Sequence, residues 1–181
     1  PHAKIDAIQI IAQPTVGSPT ATITPSPTIT PSCQNGFTFG TTTVGSNYLD
    51  NGGVLQSSSY TLSQAATVTG LGLYLSTFTA GTAVVGLYTN NAGTPQNLIV
   101  QSSPQALAAG WNVFNVPATL LSPGTYWLAF NLPGTGQVPM YDPTGTTSVA
   151  VNMVDTGTLP STFGVGTSVT RGYSICAISC P

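Results

Sequence analysis

The chain has 181 residues, which suits one compact domain with some extra chain and is too little for two full domains. Two Lys or Arg and four Asp make up its formal charge, with no Glu and with His2 as the single histidine; this inventory excludes nucleic-acid binding by phosphate neutralisation and a polybasic membrane patch. Apolar runs such as Ala83-Val84-Val85 and Trp127-Leu128-Ala129-Phe130 fall far short of the roughly 20 residues that a bilayer-crossing helix needs.

Low charge also accompanies disorder, but hydrophobic residues make up 41% of the chain and come in strand-length blocks, which supports a packed core. What remains for the surface is Thr, Ser, Asn, Gln and Gly. Such a surface hydrates through hydroxyls and amides and lacks the self-repulsion of a charged one, so association with neighbours or with sugars is easier. A start at Pro1 without Met reads as a mature chain whose leader has been removed, although a truncated chain would look the same. The expected location is extracellular or at the cell surface.

In chain order, residues 1–12 come first and carry a short apolar segment, Ala3-Lys4-Ile5-Asp6-Ala7-Ile8-Gln9-Ile10-Ile11-Ala12. Extended, it sets Ala3, Ile5, Ala7 and Ile11 on one face and Ile8, Ile10 and Ala12 on the other, and two apolar faces suit a strand buried inside a sandwich. A short helix is the competing reading, since Ile5, Ile8 and Ile11 also fit helical spacing. Residues 13–32 read QPTVGSPTATITPSPTITPS. Pro14, Pro19, Pro25, Pro27 and Pro31 block helix and favour an extended or polyproline-like path. In an exported protein such a tract is a spacer and a carrier of O-linked sugars, with Thr15, Thr20, Thr22, Thr24, Thr28 and Thr30 as the candidate sites.

Residues 33–181 form the body. β-branched and aromatic residues recur there in short blocks separated by Gly, Pro and Asn, and helical periodicity is nearly absent. Strands are predicted at 36–42, 54–62, 66–77, 83–89, 98–102, 111–116, 124–132, 148–154 and 168–178. Turn signals such as Asn90-Asn91-Ala92-Gly93 and Ser122-Pro123-Gly124 lie between them. Leu71, Leu73 and Leu75 alternate with Gly72 and Tyr74, while Tyr126, Leu128 and Phe130 oppose Trp127 and Ala129. Period two with one richer face predicts sheets packed over a shared core, and the number of short strands points to an all-β, jelly-roll-like sandwich.

Gly86-Leu87-Tyr88, Gly93-Thr94-Pro95, Ala109-Gly110-Trp111 and Pro123-Gly124-Thr125-Tyr126-Trp127, all within 84–132, resemble the motifs of a recurrent module of exported bacterial and archaeal proteins. That resemblance implies a jelly-roll sandwich and an extracellular location more than it implies an activity; such modules occur as accessory domains of surface proteins and glycan-active enzymes. The apolar segment followed by a long spacer ahead of a sandwich resembles the donor-strand subunits of extracellular filaments, such as archaeal threads and chaperone-assembled pili. Ile5, Ala7, Ile8, Ile10 and Ile11 are then the residues of the donor strand. A linker of about 20 residues spans on the order of 60 Å when extended, enough to reach a neighbouring molecule. Plugging a groove there adds main-chain ladder bonds and buries four isoleucines, worth about 1.5 to 3 kcal/mol each. Repeated head to tail, the contact is heterologous and yields an open fibre, a homopolymer of neighbouring subunits. The competing outcome is that the strand folds back on its own body.

The cysteines are Cys33, Cys176 and Cys180, and in an exported chain they read as a disulfide framework rather than a metal site. If the first and last body strands pair antiparallel, Cys33 lies opposite Cys180, with Cys33 to Cys176 as the register-shifted alternative; the third thiol is then buried or bonded to another chain. Trp111, Trp127, Tyr48, Tyr60, Tyr126 and Tyr141 can form a sugar-stacking platform, although Trp in a strand is more often core. Asp50, Asp142 and Asp155, with Asn51 and Asn152, lack the spacing of a Ca²⁺ loop and read as solvated caps, so no metal or other cofactor is expected. Without a His in the body or a matched pair of carboxylates, no catalytic residues are assigned and the protein is expected not to be an enzyme. The leading reading is a filament subunit serving adhesion or surface architecture, and the alternative is a carbohydrate-binding or adhesion module of a larger surface protein.

Overall fold

The computed structural model describes residues 36–49, 53–77, 81–132, 138–152 and 157–179. The expected N-terminal strand (1–12) and the Thr/Pro linker (13–32) lie outside the described residues. Among the described residues there is no helix, and the strands are β1 (Phe37–Gly40), β2 (Asn47–Tyr48), β3 (Val54–Leu62), β4 (Ala66–Thr77), β5 (Thr82–Asn91), β6 (Thr94–Gln101), β7 (Gln105–Ala106), β8 (Gly110–Leu121), β9 (Gly124–Leu132), β10 (Val138–Asn152), β11 (Thr167–Tyr173) and β12 (Ile175–Ile178). The expectation of an all-β chain is met.

The strands hydrogen-bond antiparallel along the path β1-β12-β4-β10-β3-β9-β5-β6, with β8 on β4, β2 and β11 on β10, and β7 on β5. Two ladders can be distinguished within this path. Sheet I is β1-β12-β4-β8, and sheet II is β11-β10-β3-β9-β5-β6. Strand β10 links them: Val138 and Pro139 pair with Thr77 and Leu75 of β4, while residues 148–152 pair with β3. The chain changes ladder a second time at Ser174, between β11 and β12. This buried serine donates its N–H to Met140 O, accepts from Tyr74 N–H through its carbonyl, and accepts from Gly45 N–H through Oγ. Strands that bend or switch at a corner let one chain serve two ladders.

One cluster of buried side chains draws on both ladders: Leu71, Leu73, Leu75, Phe114, Ile175 and Ala177 from sheet I, and Val85, Leu87, Leu128, Phe130, Leu132 and Tyr173 from sheet II. This shared core is consistent with the expected β-sandwich. Phe130 and Tyr173 meet edge-to-face with centroids 4.9 Å apart, and the Tyr173 hydroxyl donates to Gln56 Oε1, so this phenol is partnered where it enters the core.

The strand bounds of β3, β4 and β9 coincide with those read from the sequence. Three readings need correction. The predicted strand 168–178 is two strands divided at Ser174. Strand β10 begins ten residues before the predicted Ser148, at Val138, because edge and corner positions accommodate Pro139, Pro143 and Gly145 that the pattern treats as breakers. The short strands β2 and β7 are too brief to show any periodicity. The predicted turn after β5 is tight: Ala92 and Gly93 both have positive φ, 49° and 81°, as a two-residue hairpin connection requires.

Candidate functional site

Each sheet has a face turned away from the shared core, and both of these outer faces are apolar. On sheet II the rows Leu55–Asn131–Val84, Ser57–Ala129–Gly86 and Ser59–Trp127–Tyr88 run across β3, β9 and β5. Residues 157–166 cross this face as a strap, and Leu159 and Phe163 pack with Leu55, Val84, Tyr88, Trp127 and Val149 into a second core. Gly86 is glycine for a physical reason: a Cβ there would lie 2.5 Å from Leu159 Cδ1. Polar contacts fix the strap. Tyr88 donates its hydroxyl to Pro160 O at 2.8 Å, Leu159 N–H donates to Gln101 Oε1 at 2.7 Å, and Phe163 N–H donates to Gln96 O at 2.8 Å. Trp127 Nε1–H donates to Asn90 Oδ1 at 2.9 Å.

On sheet I the outer rows are Cys176–Gly72–Val113 and Ile178–Gly70–Asn115, with Tyr74 beside Trp111. Tyr74 and Trp111 meet edge-to-face with centroids 5.5 Å apart and both are half-buried. Cys176 and Ile178 are 0% and 2% exposed, packed against Trp111 and Val113. Strand β12 is therefore buried on both faces, Ile175 and Ala177 toward the shared core and Cys176 and Ile178 away from it.

The sheet edges differ in how they are guarded. The outer side of β6 is occupied by the strap, where Leu98 N–H donates to Ser161 O and Asn97 bridges to Thr162. Edge strand β11 carries Arg171, stacked over the Tyr141 ring at 5.1 Å. Edge strand β8 carries Pro117, and Gln105 Nε2 donates to Val113 O at 3.0 Å, capping an acceptor of that edge. Strand β1 pairs with β12, and among the described residues nothing pairs with its other side. A recess of about 270 Å³ lies beside it, lined by Thr38, Leu62, Ser63, Gln64, Ala65 and Ala66.

The structure brings some of the sequence-predicted residues together and separates others. The donor-strand residues Ile5, Ala7, Ile8, Ile10 and Ile11, the candidate glycosylation sites Thr15, Thr20, Thr22, Thr24, Thr28 and Thr30, and Cys33 and Cys180 all lie outside the described residues. Cys176 is disulfide-bonded. The terminal strands do pair antiparallel, but a scheme that joins Cys33 to Cys180 and leaves Cys176 as the buried free thiol is corrected by the engagement of Cys176. The six aromatics do not form a platform. Trp127 is buried under the strap and Trp111 is on the other sheet. Tyr60 and Tyr126 pack against the shared core, Tyr141 meets Tyr173 edge-on, and Tyr48 is exposed by itself. Tyr74, which the sequence reading did not select, is the ring that joins Trp111; its place opposite Leu73 and Leu75 in the alternation was the available signal.

Asp142, which the sequence reading placed in a loop, lies in β10 opposite Gly172 and accepts hydrogen bonds from the N–H and hydroxyl of Thr144, which hold its carboxyl below the ordinary value. Burial pushes the phenols of Tyr60 and Tyr88 well above the ordinary tyrosine value. Among the described residues no group of three or more His, Cys, Asp or Glu comes together, and no helix is long and apolar enough to cross a membrane. Compared with protein-family models, curated proteins and solved structures, the chain matches none of them.

Proposed function

We propose that the chain is a structural subunit of an extracellular filament assembled by donor-strand complementation, in which residues 3–12 of one copy add to the body of the next. The role is mechanical: adhesion or surface architecture rather than catalysis. The observation that carries this reading is the treatment of the sheet edges. A bare edge invites unplanned pairing, and proteins blunt it with charge, proline, short strands or cover. Here β6 is strapped, β11 has Arg171 and β8 has Pro117 with the Gln105 cap. Strand β1 carries neither charge nor proline and is limited only by its length of four residues, and a recess lies beside it. An open edge is where an extended segment adds by main-chain hydrogen bonds. Of the chain ahead of the body, residues 3–12 have the apolar composition for it.

The test is negative-stain microscopy and concentration-dependent size-exclusion chromatography of the intact chain and of a chain lacking residues 1–12. Fibres, or species that grow with concentration, are expected for the intact chain and not for the truncated one. A sharp monomer peak for the intact chain at every concentration would sink the reading. A second reading, a carbohydrate-binding module of a larger surface protein, draws on the Tyr74–Trp111 pair. It predicts that Trp111→Ala weakens glycan retention while leaving assembly untouched.

A further inference from the structure

Charge is scarce in this chain, and the charged side chains that fall among the described residues, Asp142 and Arg171, meet at one corner of the body. Asp142 of β10 stands opposite Gly172 of β11, the chain neighbour of Arg171. They are not paired with each other: Arg171 stacks on the Tyr141 ring, and Asp142 accepts from Thr144. On a surface otherwise hydrated by hydroxyls and amides, this corner has the few orienting polar groups that a ligand site needs.

A recess of about 130 Å³ opens there, lined by Thr41, Thr43, Tyr60, Asp142, Thr146 and Gly172. Its walls are fixed before any ligand arrives. The loop ahead of β2 is held at three points: Thr41 N–H donates to Ile175 O and Gly45 N–H to Ser174 Oγ, both at 2.9 Å, and Asn47 pairs with Tyr141. Gly45 lies so near the Tyr141 main chain that a Cβ would stand 2.2 Å from its carbonyl carbon, and at Gly145 a Cβ would stand 2.7 Å from Gly172 Cα. The Tyr60 hydroxyl donates to Tyr173 O, and the hydroxyls of Ser59 and Thr146 are 2.7 Å apart. Groups ordered in advance cost little to order on binding.

We infer that this recess is a saccharide subsite that takes one edge of a single neutral sugar residue. Both bonds from Thr144 fall on Oδ1 of Asp142, so Oδ2 is left to accept from ligand hydroxyls, and a charged acceptor makes the strong form of that bond. The hydroxyls of Thr41, Thr43 and Thr146 both donate and accept, as a sugar's own hydroxyls do. The volume holds about four waters at ~30 Å³ each, which suits a few hydroxyls on one edge of a ring and not an engulfed ligand. Apolar contact comes from the rim. Among the described residues the exposed large apolar side chains are Val44, Tyr48, Leu120 and Val165, and two of these stand on the loop that forms one wall. Val44 lies between the lining residues Thr43 and Gly45, and Tyr48 offers an amphipathic ring to the C–H side of a sugar. A divalent cation fits less well, since Ca²⁺ takes about six to eight oxygens, several of them carboxylate, and the recess has one carboxylate.

The subsite is at the β10–β11 corner, whereas the Tyr74–Trp111 pair is on sheet I. It is independent of polymerisation, although in a fibre it would repeat along the length and weak contacts would add by avidity.

Saturation-transfer difference NMR of the full-length chain with the methyl glycosides of glucose, galactose and mannose at millimolar concentration tests the subsite and tolerates large assemblies. At least one glycoside should give signal. Asp142→Asn, which keeps an acceptor for Thr144, should weaken it about tenfold, and Tyr48→Ala several-fold, both with an unchanged melting temperature; Trp111→Ala should leave it as it is. No signal from any of the three glycosides, or signal that survives both corner variants, overturns the inference. Loss of signal in Trp111→Ala alone would move the sugar to sheet I, and loss on adding EDTA would make the recess a cation site; either overturns it too. Negative-stain images of the same samples keep the two readings apart: fibres without glycoside signal sink only the subsite, and glycoside signal without fibres sinks only the filament.

Discussion

The outer faces of the two sheets pose the same physical problem, and the chain treats them differently. Sheet II presents Tyr88, Trp127 and Leu55 to the outside and covers them with a strap from a neighbouring loop, held by main-chain and side-chain hydrogen bonds. Sheet I presents Ile178, Val113 and the Tyr74–Trp111 pair, and among the described residues no loop crosses them. The comparison teaches that an apolar outer face can be sealed by a connection of the body itself, as on sheet II, and that the same device is not used on sheet I among the described residues. Where the cover is a short connection between β10 and β11 it is part of the body.

The contrast can be broken most sharply at Trp127. Trp127→Ala should cost about 3–5 kcal/mol in urea unfolding, because it opens a cavity beneath the strap and removes the partner of Asn90. Trp127→Phe should cost about 1 kcal/mol, the share of the hydrogen bond. If the alanine variant lost less than the phenylalanine variant is expected to lose, the strap would not be an integral layer.

A smaller effect is expected on sheet I. Ile178→Ala should cost about 2–3 kcal/mol, at the low end for a buried aliphatic residue. A loss below about 0.5 kcal/mol, typical of surface positions, would mean that this face is wet and that the two faces are unlike in kind.

The smallest effects are those of pH. The Tyr60 and Tyr88 phenols are raised by burial in the folded state, so the unfolded chain ionises first. Their contribution is intact below the ordinary phenol value of about 10 and is lost as pH rises beyond it. Melting temperature should fall between pH 9 and 11.5, and Tyr88→Phe should flatten part of that fall. Asp142 has the opposite sign, since its carboxyl is lowered: its contribution is present above the ordinary Asp value and is lost as pH falls through the folded one. Its exposure makes that change slight, so a large acid-side drop in melting temperature would point to another group.

Legibility varied along the chain for reasons that can be stated. Strands β3 and β9 have sharp ends in the sequence because β-branched and aromatic residues stop at Gly, Ser and Pro, and the turn chemistry agrees with the pattern. The first half of β10 was illegible because its prolines and glycine sit where a corner needs no ladder donor, a property of the corner and not of the residues. The two tryptophans show the limit at the level of a site. Both lie in strands with similar neighbours, yet Trp127 is sealed under the strap and Trp111 lines an outer face. Side-chain alternation sorts residues into two faces, and it ranks those faces only when one of them is polar; here both are apolar, so Tyr74 was overlooked as the ring beside Trp111.

By itself the amino-acid sequence determined that this protein is all-β, that its surface is nearly free of charge, and that an apolar segment and a proline tract stand ahead of the body, because composition and period-two patterning act locally. The tertiary structure decided which side of each strand faces which layer, which edges are guarded and where Cys176 lies. Those depend on the chain crossing between ladders at β10 and Ser174, and a crossing is made by contacts between residues far apart in the sequence, which no local pattern records.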